Sequence, residues 1–106
     1  ADRATAASFR RGPRLVLLNI EVDALVFPID ARGVQIGRRP DCEVQVRWDS
    51  QVSRQHCRIR PEGAGWTIAD SGSANGTYVG AERVLERRLF GDEIIRIGET
   101  RFRFAL

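Results

Sequence analysis

Apolar residues in this chain recur at every second position, and turn residues cut each run off after a few places. Alternation of that kind sends apolar side chains to one face of a strand and polar ones to the other. In 43–47, Val44 and Val46 share a face. In 56–60, Cys57 and Ile59 point inward while Arg58 and Arg60 point out. Trp66 and Ile68 share a side in 66–70, as do Phe102 and Phe104 in 100–106. Runs 15–22 and 25–29 are joined by Asp23-Ala24, a connection short enough for a hairpin, and Pro28 in the second run fits a sheet edge. Segment 34–37 is stopped by Arg39-Pro40-Asp41, and 61–65 reads as a turn. Segment 77–79 and a weak one at 83–85 flank Gly80, and 93–97 and 100–106 form a hairpin around Gly98-Glu99. No stretch keeps a helical period. The chain is therefore expected to be all-β, a sandwich or small barrel of short strands.

At 106 residues this is one domain with room for a modest core. Its 42% hydrophobic and 29% charged residues are ordinary for a globular protein, and no apolar run is long enough to span a membrane. The first fourteen residues carry no signal-like apolar core and read as a basic linker or tail, with 15–106 as the folded domain. The chain starts with Ala and contains no Met, so it reads as a piece of a longer protein.

The net charge of +3 raises nucleic acid as a ligand, but its distribution speaks against one. Residues 1–14 hold four Arg and one Asp, whereas 15–106 hold 13 Arg and 13 acidic residues. The fold is neutral, and a nucleic-acid binder carries its basic face on the fold. Cys42 and Cys57 are too few for a disulfide framework, and with His56 alone beside them they fall short of a zinc site. No metal or cofactor is expected. The thiols suit a reducing cytoplasm, which is the expected compartment.

Three polar segments interrupt the strands: Gly37-Arg38, Ser53-Arg54-Gln55-His56 and Ser73-Ala74-Asn75-Gly76-Thr77. They offer a guanidinium, a small hydroxyl and a carboxamide where strands give way to turns. That donor set suits a phosphorylated peptide: an Arg fork clamps phosphate oxygens, a hydroxyl adds a donor, and an amide reads peptide backbone.

In order and spacing these segments resemble the forkhead-associated (FHA) domain, a phosphothreonine-peptide binding module. The Gly-Arg follows a short strand, Ser-x-x-His comes about fifteen residues later, and Asn-Gly-Thr about twenty beyond that. Gly91-Asp92 before 93–98 also matches, and the resemblance covers about residues 14–106. It implies a sandwich of about eleven strands in two twisted sheets, with recognition loops at one end. Carried over by position, it implies that Arg38 and Ser53 bind the phosphate with Arg54 beside them, and that Asn75 bonds the ligand backbone. Gly37 would shape the first loop, and His56 and Gly76 would hold the other two. The implied partner is a threonine-phosphorylated protein in a Ser/Thr-kinase pathway.

Two positions depart from the family pattern. Ala74 stands where many members have a further phosphate-reaching residue. Gln51 stands where some use a base to read an acidic flank, so both are candidate specificity positions.

Other readings stand beside this one. An FHA-like fold could dock an unphosphorylated surface in an assembly, and the basic tail could hold nucleic acid. Ser53, His56 and Asp70 suggest a triad on paper, but the sequence has no nucleophile elbow. Trp48 is either a loop anchor or a ligand contact.

Overall fold

The computed structural model describes residues 12–19 and 25–106. Its elements are strands: β1 (Arg14–Leu17), β2 (Val26–Pro28), β3 (Val34–Gly37), β4 (Val44–Gln45), β5 (Cys57–Glu62), β6 (Gly65–Asp70), β7 (Thr77–Val79), β8 (Glu82–Val84), β9 (Glu86–Leu89), β10 (Ile94–Ile97) and β11 (Thr100–Ala105). They form a six-stranded sheet in the order β2-β1-β11-β10-β7-β8 and a five-stranded sheet in the order β4-β3-β5-β6-β9. The all-β sandwich expected from alternation is the observed fold. No helix among the described residues is long and apolar enough to cross a membrane.

Pleating decides what lies between the sheets. In β11, Phe102 and Phe104 face inward and are fully buried, while Arg101 and Arg103 face out. Ile95 and Ile97 of β10 and Leu15 and Leu17 of β1 join them from the same sheet. Ile36, Cys57, Ile59 and Ile68 cover them from the other, and Phe27 packs edge-on against Phe102 with ring centroids 6.0 Å apart. Such burial contributes about 1.5–3 kcal/mol per large side chain and dominates the stability of a domain this size. Burial also pushes the Cys57 thiol up to about 12, which makes it a small inert hydrophobe. Both cysteines are free.

Pro28 lies on an edge strand, as expected, because β2 ends its sheet. The Asp23-Ala24 turn lies outside the described residues, although β1 and β2 pair antiparallel as a hairpin would. Positions 1–11 of the basic tail also lie outside them, and β1 begins at Arg14.

β1 stops at Leu17, short of the expected 15–22 run, with Leu18 and Asn19 outside any strand; three further elements differ from the sequence reading. The 61–65 turn is shorter than expected: Pro61 and Glu62 continue β5, opposite Trp66 and Gly65 of β6. Pro61 is tolerated there because β3 has already ended, with Val34 opposite Ile59, so its missing N–H forfeits no bond on that side. The 43–47 strand shrinks to Val44–Gln45, since Val46 leaves the ladder after donating its N–H to Gly37 O at 2.8 Å. The 83–85 segment is two strands, β8 and β9, broken at Leu85. β9 was illegible because its Arg87 and Arg88 mask the alternation.

Candidate functional site

The three polar segments meet at one end of the sandwich. Gly37-Arg38 closes β3, Ser53 to His56 precede β5, and Ser73 to Gly76 precede β7. Hydrogen bonds tie the loops to one another. Arg38 N–H donates to Ser53 O at 3.1 Å, and Arg39 N–H to Arg54 O at 3.1 Å. Ala74 N–H donates to Ser53 Oγ at 3.0 Å, and Asn75 Nδ2 to Gln51 O at 2.8 Å. Gly37 lets the first two loops close up. A Cβ there would sit 2.2 Å from Arg54 O, a backbone atom that cannot swing aside.

His56 is fully buried and links the second and third loops. Its Nδ1 accepts the Ser53 N–H at 3.0 Å and its Nε2 lies 2.8 Å from Gly76 O. An N–H can only donate and a carbonyl can only accept, so the ring is neutral with its proton on Nε2. Both nitrogens are thus occupied by backbone, and neither faces the Ser53 hydroxyl. Asp70 turns elsewhere, which leaves no triad.

The groups at the surface keep free valences. Arg38 is exposed, and its Nε donates to Val52 O at 2.6 Å, so its two terminal nitrogens point onward from a fixed stem. It forms no ion pair among the described residues. The Ser53 hydroxyl accepts from Ala74 and keeps its own proton to donate. Asn75 spends one N–H on Gln51 O and keeps its carboxamide oxygen. Arg54 is exposed beside them.

The FHA domain model matches residues 34–98, the stretch that carries all three loops. The chain belongs to the FHA domain family. Among curated relatives, the glycogen accumulation regulator GarA of Mycolicibacterium smegmatis is 37% identical over 74% of this chain and 49% of its own length. An oxoglutarate dehydrogenase inhibitor of Corynebacterium jeikeium is 36% identical over 74% of this chain and 54% of its own. This FHA domain therefore spans about half the length of those relatives. A domain solved in a structural and functional study of phosphothreonine-dependent FHA domain interactions superposes with a TM-score of 0.80 at 28% identity, covering 91% of this chain and 97% of that one.

The third loop of this FHA domain has an organiser that the sequence reading missed. The Asp70 carboxylate accepts the N–H groups of Gly72 and Ser73 at 3.0 Å each and the hydroxyls of Ser73 and Thr77 at 2.6 and 2.7 Å. Ser73 Oγ in turn accepts the Gly76 N–H at 2.9 Å. The signal was present as Asp70-Ser71-Gly72-Ser73, a run in which a carboxylate can bond backbone two and three residues on.

Asp49 does the same for the second loop, accepting from Gln51 N–H, Glu99 N–H and the Thr100 hydroxyl. Trp48 beside it is a loop anchor with half its surface exposed, its indole N–H donating to Thr100 Oγ1 at 3.1 Å.

Burial by itself would raise both carboxyls, but the hydrogen bonds outweigh it and hold each below the ordinary 3.8. The stabilisation they give is complete above the unfolded-chain value. It is lost as pH falls through the lowered folded one, because the unfolded chain takes up protons first. Acid unfolding followed by circular dichroism should therefore steepen below about pH 4. Asp49→Asn and Asp70→Asn should lower stability at pH 7 and flatten that acid limb. An unchanged limb in both variants would refute this account.

Proposed function

We propose that this FHA domain is a non-catalytic reader of phosphothreonine, recruiting a protein partner after a Ser/Thr kinase has modified it in the cytoplasm. The observation that carries the reading is Arg38, an exposed guanidinium oriented by Val52 and without a carboxylate partner among the described residues. Beside it lie a hydroxyl proton, Ser53, and a free carboxamide oxygen, Asn75, in loops bonded to one another.

Phosphate brings about two negative charges and strong acceptor oxygens to such a site. Arg38 would take two phosphate oxygens as a fork, with Ser53 donating to a third and Arg54 screening the remaining charge. Asn75 would accept a peptide N–H next to the phosphothreonine. Gln51 and Ala74 border this arrangement and would tune which flanks it accepts. Ala74 has no side-chain donor, so Arg38 and Ser53 would carry most of the phosphate. The likeness to a domain studied for phosphothreonine-dependent interactions supports the reading. So does the engagement of both His56 nitrogens, which leaves the Ser53 hydroxyl without a base.

Titration with a phosphothreonine peptide, its phosphoserine twin and the unmodified peptide tests it. The phosphothreonine form should bind tightest, ahead of phosphoserine by about fourfold if only the methyl group's burial distinguishes them. The unmodified peptide should bind weakest. Equal affinity for all three would sink the proposal.

A further inference from the structure

The outer face of the six-stranded sheet carries a row of cations that the phosphate reading does not use. Arg83 lies directly opposite Tyr78, Tyr78 opposite Arg96, and Arg96 opposite Arg101. The neighbours of Tyr78, Arg96 and Arg101 along their own strands are buried, so pleating turns these three outward together. The row crosses β8, β7, β10 and β11 and spans about 14 Å at the usual strand spacing.

Like charges directly across a sheet repel, so the Arg96–Arg101 pair works against folding. None of the three arginines forms an ion pair among the described residues, whereas Arg103, two residues along β11 from Arg101, is paired with Asp92 at 3.0 Å. Arg96 is nevertheless held in place. Its guanidinium carbon lies 4.1 Å from the centre of the Tyr78 ring, and its Nη1 donates to Gly98 O at 3.0 Å.

The row also adjoins the recognition loops. Tyr78 is two residues after Gly76, and the Arg83 side chain lies over Gly76, where a Cβ would come within 2.6 Å of its Nε. Gly98 at the row's far side is pressed against Asp49 and Gln51 of the second loop.

From this continuity we infer that the Arg83–Arg96–Arg101 row is a second docking surface, taking an acidic segment of the same partner whose phosphothreonine sits in the loops. The inference rests on the phosphothreonine reading. An extended peptide places every second side chain on one side, so a short Asp/Glu stretch can set carboxylates along a single row. Those carboxylates would relieve the repulsion that the row carries unliganded. Nucleic acid fits less well, because it asks for a broad basic face and this fold is neutral as a whole, with the row included.

The test compares one phosphothreonine peptide bare, extended by a Glu run at either end, and extended by a Gln run of the same length. The Glu extension at one end should raise affinity over its Gln control by about threefold to tenfold, and salt should erase the gain. In an Arg96→Gln/Arg101→Gln double variant the gain should vanish while the bare peptide binds as before. A bare peptide that binds, with no gain from Glu at either end, would overturn the inference and leave the phosphothreonine reading intact. A gain that survives the double variant would overturn it too. A bare peptide that fails to bind would remove both. Preference of the row for an oligothymidylate, lost in the double variant while Glu adds nothing, would reassign it to nucleic acid.

Discussion

Arg38→Ala should weaken binding of a phosphothreonine peptide by roughly tenfold to a hundredfold, the equivalent of losing one charge-assisted fork. Arg38 is exposed and sits at the end of β3, outside the core, so the folded state should survive. The one internal bond lost is Nε to Val52 O, at 2.6 Å. Thermal unfolding should therefore shift little while peptide affinity collapses. Arg38→Lys separates charge from geometry. Lysine keeps the charge but loses both the Val52 anchor and the planar fork, so its affinity should fall between wild type and alanine. Isothermal titration of the three proteins decides the matter, and equal affinity in all three would remove Arg38 from the site.

His56→Ala should have the larger effect on stability. It opens a cavity at a fully buried position and strands the Ser53 N–H and the Gly76 C=O without partners. Unpaired buried polar groups cost about 1–3 kcal/mol each, so a loss of roughly 3–5 kcal/mol is expected with the cavity included. That is a large share of the stability of a domain this size. Peptide binding should weaken as well, because the Ser53 and Asn75 loops lose their shared post. His56→Asn keeps a polar group near the Ser53 amide but cannot reach Gly76, so it should lose less. Denaturant unfolding of the three proteins measures this, and a His56→Ala protein as stable as wild type would refute the structural role.

The fold class was legible because alternation is a local property. Val44 with Val46, Cys57 with Ile59 and Phe102 with Phe104 each announce a strand and its inner face without reference to any other segment. Pro28 announced an edge for the same reason, through a missing donor that a strand tolerates only where no partner lies on that side. The illegible elements were those whose strand character comes from partners. β9 carries Arg87 and Arg88 and has no clean alternation, yet it pairs along β6 from Trp66 to Ala69. The parallel pairing of β3 with β4 across the Arg39-Pro40-Asp41 turn, where a hairpin would pair antiparallel, was equally invisible.

The candidate site divides in the same way. Arg38, Ser53 and Asn75 were named by residue type and order, and Gly37 by the family resemblance. The reason for Gly37 emerged only when Arg54 O was found where a Cβ would go. On paper Asp70 completes a triad with Ser53 and His56, whereas in the fold its carboxylate binds backbone amides and hydroxyls of its own loop.

The sequence by itself determined most of the strands, the apolar face of each of those and the three polar segments, since these depend on spacing along the chain. The tertiary structure decided what those segments do to one another. It set the His56 tautomer through two backbone groups from different loops, Ser53 N–H and Gly76 C=O, oriented Arg38 through Val52, and aligned three arginines from separate strands into one row. Such relations depend on register between distant strands, which is fixed by packing Phe102, Phe104, Ile36 and Ile59 into one core rather than by any local pattern.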